Sequence, residues 1–93
     1  MGLYASQEAS MDKILVSVNV PALNESYDIF IPPDSPMYEV QELIKKAVSS
    51  LSHGQFLAAT DTILCFGNSG AIVNINLSVW ELGIRNGSRL ILI

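Results

Sequence analysis

Two runs near the start of the sequence repeat an apolar residue at every second position. In KILVSVNV, Lys13 to Val20, the repeated residues are aliphatic, and in YDIFI, Tyr27 to Ile31, they are aromatic or aliphatic. A period of two is the signature of a β-strand with one buried face. The linking segment PALNES contains the turn formers Pro21 and Asn24. The two runs therefore predict a β-hairpin whose apolar face must be covered by another element.

The covering element is predicted directly after the hairpin. In PPDSP, Ser35 and Pro36 suit the N-cap and the first helical position. Apolar residues then recur every three or four positions, as one face of an α-helix requires; they are Met37, Val40, Leu43, Ile44, Ala47, Val48 and Leu51. The pattern predicts an amphipathic helix from about Met37 to about Leu51, which ends near Gly54.

Two further strands are predicted in the second half of the chain. They are TILCFG, which the turn GNSG follows, and the final residues RLILI, which the turn RNGS precedes. AIVNINL fits a short strand or an extended connection. LSVWELGI predicts a helical turn, with Trp80 as a core anchor or, alternatively, as a surface hot spot. This order predicts an α+β fold, with a mixed sheet of four to five strands packed on one α-helix and its first and last strands side by side in parallel.

Composition limits the classes of function. The chain has 93 residues, a length that predicts one domain. It contains five Lys and Arg residues and nine Asp and Glu residues. A nucleic-acid binder normally carries a basic stripe, so we expect no nucleic-acid partner. No apolar run approaches the ~20 residues that cross a bilayer, so we expect no membrane insertion. The single cysteine, Cys65, excludes an intrachain disulfide and fits a reducing cytoplasm.

No set of residues has the spacing of a catalytic, cofactor or metal site. His53 is the only histidine and lies at the predicted helix end, and Cys65 fits a small hydrophobic residue on a strand. GNSG lacks the lysine and the following helix of a phosphate-binding loop. We therefore predict a protein that is not an enzyme, has no cofactor and no metal, and acts by binding.

The first residues, MGLYASQEASMD, precede the first predicted strand. They also lack the basic and apolar regions of a secretory signal. We predict residues 1–12 to be an N-terminal leader outside the fold, and residues 13–93 to be the domain.

From Lys13 onward the sequence resembles the ubiquitin-like superfamily. SPMYEVQELI is similar to the start of that superfamily's helix, and LSVWELGIRNGSRLILI to its ending. The chain looks most like the YukD/EsaB family of small accessory proteins from type VII secretion loci of Gram-positive bacteria, with Ser88 at a usual Asp position. The resemblance implies a β-grasp roll and a cytoplasmic protein that binds secretion membrane or ATPase components.

Two alternatives remain beside this function. The N-terminal cytosolic domains of polytopic type VII secretion membrane proteins have the same pattern. Conjugated modifiers and sulfur carriers of this fold need a flexible C-terminal Gly-Gly, whereas this sequence ends in Leu90-Ile91-Leu92-Ile93. We therefore expect no conjugation, unless a tail has been removed.

Alternation along the strands also predicts a binding surface. If Ile14, Val16 and Val18 face the helix, the residues between them face away. The same alternation in every strand puts these apolar residues on the sheet face opposite the helix: Leu15, Phe30, Leu64, Phe66, Ile91 and Ile93. Arg89 is expected at its rim. An exposed apolar patch usually marks a protein-binding surface. The alternatives are a strand register wrong by one, a leader that covers the patch, or a homodimer built through it.

Overall fold

The computed structural model describes residues 13–93, so the predicted leader at residues 1–12 lies outside the described residues. The elements, in chain order, are β1 Ile14–Val20, β2 Glu25–Ile31, α1 Met37–Leu51, β3 Leu64–Phe66 and β4 Arg89–Leu92. The helix has the predicted bounds. The prediction of an α+β fold, with one helix on a mixed sheet, is confirmed, and the described residues form four strands.

The sheet has the strand order β2-β1-β4-β3, which makes the first and last strands central neighbours. β1 pairs with β2 in antiparallel fashion along its whole length, with Val16 opposite Ile29. β4 runs parallel to β1, with Val18 opposite Leu90, and β3 is antiparallel to β4. The parallel pair joins the two ends of the domain, as the predicted arrangement required.

α1 covers one face of this sheet. Its buried apolar side chains, Met37, Val40, Ile44 and Val48, lie at helical spacing along one side. They pack with the inward residues of all four strands. Fully burying one such side chain contributes roughly 1.5–3 kcal/mol, so this shared core is the main source of stability.

The start of α1 differs from the predicted cap. Pro36, not Ser35, occupies the N-cap position, and no side chain caps the helix. The amide of Met37 instead donates to the carbonyl of Leu77 at 2.8 Å, and that of Tyr38 to the carbonyl of Ile75 at 3.1 Å. A distant segment therefore satisfies backbone donors that a cap residue would otherwise satisfy.

The segment LSVWELGI forms a compact turn rather than a regular helix. Ser78 and Glu81 exchange hydrogen bonds, because the amide of Ser78 donates to the Glu81 carboxylate at 2.8 Å and the amide of Glu81 donates to Ser78 Oγ at 3.2 Å. Val79 and Ile84 fill core positions. The expectation that Trp80 is a core anchor is wrong: its side chain is 47% exposed, because the adjacent Val79 takes the inward position.

A side chain fastens the turn before β4 to the start of β1. Asn86 Oδ1 accepts a hydrogen bond from the amide of Leu15 at 2.8 Å. We expect Asn86→Ala to lower the free energy of unfolding by about 1 kcal/mol, because this amide loses its acceptor. Asn86→Asp keeps an oxygen acceptor and should lose much less. Denaturant titration measures both variants, and an equal loss would contradict the role of the acceptor.

Candidate functional site

The candidate site is the sheet face opposite α1. The strand pairing sets its layout, because directly opposed residues on neighbouring strands project from the same face. Leu15 lies opposite Phe30 at one end, and Ser17 lies opposite Asp28 in the next row. Ser17 also pairs with Arg89 across the parallel strands. The face therefore has a polar row across it, and Leu15 and Phe30 form an apolar pair on one side of that row.

A larger apolar group lies on the other side of the polar row. Ile91 lies opposite Cys65, and Cys65 pairs in turn with Ile72 through an isolated bridge. Ile63 and Ile93 exchange two backbone hydrogen bonds, at 2.8 and 3.0 Å, which extends the β3–β4 ladder by one pair. We call Ile63, Ile72, Ile91 and Ile93 the isoleucine patch.

Exposure differs across the isoleucine patch. Ile72 is 67% exposed and Ile93 is 55% exposed, whereas Ile63 and Ile91 are half-buried. Cys65 lies between Ile72 and Ile91 in the ladder and is buried. The patch thus has two protruding side chains and a partly covered centre.

Two residues of the predicted binding surface are not on this face. Leu64 is fully buried opposite Leu92, and Phe66 is half-buried, packed against the core opposite Leu90. The predicted register of this strand was wrong by one residue. Ile63, Leu64, Cys65 and Phe66 are all apolar, so alternation could not choose between the two faces; pairing with β4 makes the choice.

The other predicted site residues face away from the helix but do not form one continuous surface. Leu15 and Phe30 belong to the apolar pair, and Ile91 and Ile93 to the isoleucine patch. Arg89 is exposed between them in the polar row, rather than at an outer rim. Among residues 13–93 the one salt bridge joins Lys45 to Glu42 at 3.2 Å, so Arg89 forms none.

Sequence reasoning missed Ile63 and Ile72. Predicting Leu64 and Phe66 to face outward implies, by alternation, that Ile63 faces the core, so the same register error misplaced Ile63. Ile72 lies in AIVNINL, a segment that fitted either a strand or a connection. The useful signal was the alternation of the final strand. Because Leu90 and Leu92 face the core, Ile91 and Ile93 face outward, and so does any residue that pairs with them, such as Ile63.

This face offers apolar contact on both sides of its polar row, and the exposed Asp28 and Arg89 of that row offer charged groups. Within residues 13–93, no three His, Cys, Asp or Glu side chains are grouped so that they could hold a metal ion. None of the helices described is long and apolar enough to cross a membrane.

No family model and no curated protein matches the chain. Solved structures do. The EccD5 ubiquitin-like domain from Mycobacterium xenopi is 18% identical, with a TM-score of 0.71 over 87% of this chain and 92% of that one. An N-terminal ubiquitin-like domain solved in solution is 24% identical, with a TM-score of 0.64 over 88% of this chain and 74% of that one.

A third structure, the MycP5-free ESX-5 inner membrane complex, contains a chain that is 16% identical with a TM-score of 0.61. The match covers 88% of this chain and 21% of that one. These likenesses show the fold alone, and the resemblance to YukD/EsaB stays a prediction. With the helix α1, the mixed sheet and the parallel pairing of β1 with β4, residues 13–93 have the ubiquitin-like α+β fold, the β-grasp.

Proposed function

We propose that the chain is a non-enzymatic, ubiquitin-like protein-interaction module of a type VII secretion system. It binds a protein partner on the cytoplasmic side, a membrane component or the ATPase of the system. The structural likeness to the EccD5 domain and to a chain of the ESX-5 inner membrane complex supports the link to secretion.

The observation that carries the binding proposal is the exposure of the isoleucine patch. Ile72 and Ile93 protrude from the sheet face opposite α1, at 67% and 55% exposure. Burying one such side chain against a partner surface of matching shape would contribute roughly 1.5–3 kcal/mol to the free energy of binding. The apolar pair Leu15 and Phe30 adds a second, separate contact, and Arg89 between the two contacts orients the partner.

The structure changes the proposed set of binding residues. Ile63 and Ile72 replace Leu64 and Phe66, because the latter two belong to the core side of the sheet. The proposed site is therefore the isoleucine patch with Leu15, Phe30 and Arg89.

The module occurs either as a free-standing accessory protein or as the N-terminal domain of a polytopic secretion subunit. The second form has specific support, because a similar domain makes up about a fifth of a chain in a secretion membrane complex: the match covers 21% of that chain. The sequence of the whole gene distinguishes the two forms, because transmembrane spans follow the domain only in the second.

The proposal is tested by capturing the membrane subunits and the FtsK-like ATPase encoded at the same locus on the purified full chain. We expect Ile72→Asp with Ile93→Asp to weaken capture at least about tenfold, because two desolvated apolar contacts are lost. The thermal midpoint should change little, since both side chains are exposed.

Leu57→Asp is the matched control, because Leu57 is an exposed leucine outside the sheet. Capture by this variant should equal that of the wild type. Failure of the wild-type chain to capture any of these proteins would reject the secretion role. Normal capture by the double variant would reject the isoleucine patch. A chain that begins at Lys13 tests whether the leader covers the patch, because its removal should then increase capture. A sedimentation measurement tests whether the chain forms a homodimer.

A further inference from the structure

Two hydrogen-bonded segments at the start of α1, outside the sheet, carry three further exposed apolar side chains. They are Tyr38, 52% exposed, Trp80, 47% exposed, and the exposed Ile75. Trp80 is the only tryptophan of the chain. We call these three residues the aromatic surface. The isoleucine patch does not include them, and neither the core nor the proposed secretion function accounts for their exposure.

Backbone hydrogen bonds hold the aromatic surface in place. The amide of Tyr38 donates to the carbonyl of Ile75 at 3.1 Å, and that of Trp80 to the carbonyl of Pro33 at 3.2 Å. Between them, Pro36 pairs with Ser78 in antiparallel fashion. The two aromatic residues therefore lie at opposite ends of one short backbone ladder. Because the ladder is formed before binding, a partner would meet it with little loss of backbone entropy.

The charged residues of the two segments that carry this surface have a single sign. Segments 33–39 and 75–82 contain Asp34, Glu39 and Glu81 but no lysine or arginine. Glu39 follows Tyr38 directly, Glu81 follows Trp80, and all three acidic residues are exposed. The chain as a whole carries a net charge of −4. Such a surface attracts cations and repels nucleic acids and anionic lipids.

We propose that the aromatic surface binds an extended, arginine-rich segment of a partner protein. Guanidinium groups stack on the faces of Tyr38 and Trp80 and pair with the neighbouring carboxylates. Arginine fits better than lysine, because its guanidinium is planar, stacks on aromatic rings and is more weakly hydrated than an ammonium group. The apolar contacts bind the segment, and the carboxylates select its charge.

The fluorescence of Trp80 reports binding directly, because the full chain contains no other tryptophan. Titration with a short Arg-Gly repeat peptide should change this emission in a saturable way. A matched Lys-Gly peptide should bind several-fold more weakly, and a Glu-Gly peptide should not bind. Added salt should weaken the Arg-Gly complex, because exposed charges are screened. No saturable change with the arginine peptide, or equal affinity for the lysine peptide, would overturn the proposal.

Variants separate this site from an effect of net charge. Asp34→Asn with Glu39→Gln should lower the affinity for the arginine peptide about fivefold, a modest loss because exposed ion pairs are individually weak. The matched control removes the same charge from β2, as Glu25→Gln with Asp28→Asn, and should bind nearly as the wild type does. Equal losses in the two double variants would overturn the proposal. Trp80→Leu, measured by calorimetry, should also weaken the complex, and unchanged affinity would contradict the stacking.

The secretion proposal and this one fail independently. Ile72→Asp with Ile93→Asp should leave peptide binding unchanged, since neither residue belongs to the aromatic surface. A loss of peptide binding in that variant would overturn the aromatic surface as a separate site.

Discussion

Leu64→Asp is expected to unfold the domain. Leu64 is 0% exposed, lies opposite Leu92 and belongs to the hydrophobic core. The substitution removes a buried aliphatic side chain and places a carboxylate with no partner among apolar groups. Losses of this kind are at least about 4 kcal/mol, against a total stability of about 5–15 kcal/mol for a typical domain. The variant should be unfolded or marginally folded at room temperature.

Circular dichroism and thermal unfolding measure this outcome, and two further variants calibrate it. Leu64→Ala should remain folded and lose about 2–5 kcal/mol, because it leaves a cavity without adding a charge. Ile93→Asp introduces the same charge at an exposed position next to the end of β4. This variant should melt near the temperature of the wild type. A Leu64→Asp variant that melts near the wild type would show that Leu64 faces solvent and that the β3 register is wrong.

Gly67→Ala is expected to lower stability by about 1–3 kcal/mol, in the range of overpacked positions. A Cβ at Gly67 would lie 2.8 Å from the Cβ of Arg89 and 2.9 Å from its carbonyl oxygen. The amide of Gly67 also donates to that carbonyl at 2.8 Å, which extends the β3–β4 ladder. The new methyl group can be accommodated only if the backbone moves, because the Arg89 carbonyl, unlike a side chain, cannot rotate away.

Asn68→Ala, at an exposed position in the same turn, is the control and should cost little. A double-mutant cycle with Arg89→Gly separates the two contacts. Removing the Arg89 Cβ should recover part of the stability that Gly67→Ala loses. The remainder should stay lost, because the carbonyl oxygen of residue 89 is still too close to the new methyl group. A Gly67→Ala variant as stable as the Asn68→Ala control would mean that β3 and β4 are not this close at the turn.

Sequence periodicity predicted the elements whose apolar and polar residues alternate clearly. The bounds of α1, Met37–Leu51, follow from apolar spacing of three and four. β1 shows the buried and half-buried alternation expected from its repeated aliphatic residues. β2 was predicted from Tyr27 but begins at Glu25. The two added residues are polar, and they are strand because they pair with β1.

Periodicity failed where several consecutive residues are apolar. Leu64, Cys65 and Phe66 have no polar neighbour between them, so either face of β3 satisfies the pattern. The same limit applies to Val79 and Trp80, which are adjacent and both suited to a core. Only one of each adjacent pair can face inward, and pairing with distant segments decides which.

Local sequence by itself determined the helix, the hairpin and the acidic, non-basic character of this chain, because these depend on neighbouring residues and on composition. The tertiary structure alone decided the β3 register, the exposure of Trp80 and the grouping of four isoleucines into one patch. Those features arise from hydrogen bonds and contacts between residues far apart in the chain, such as Ile63 with Ile93. Their free energy depends on the closed sheet, which no local pattern encodes.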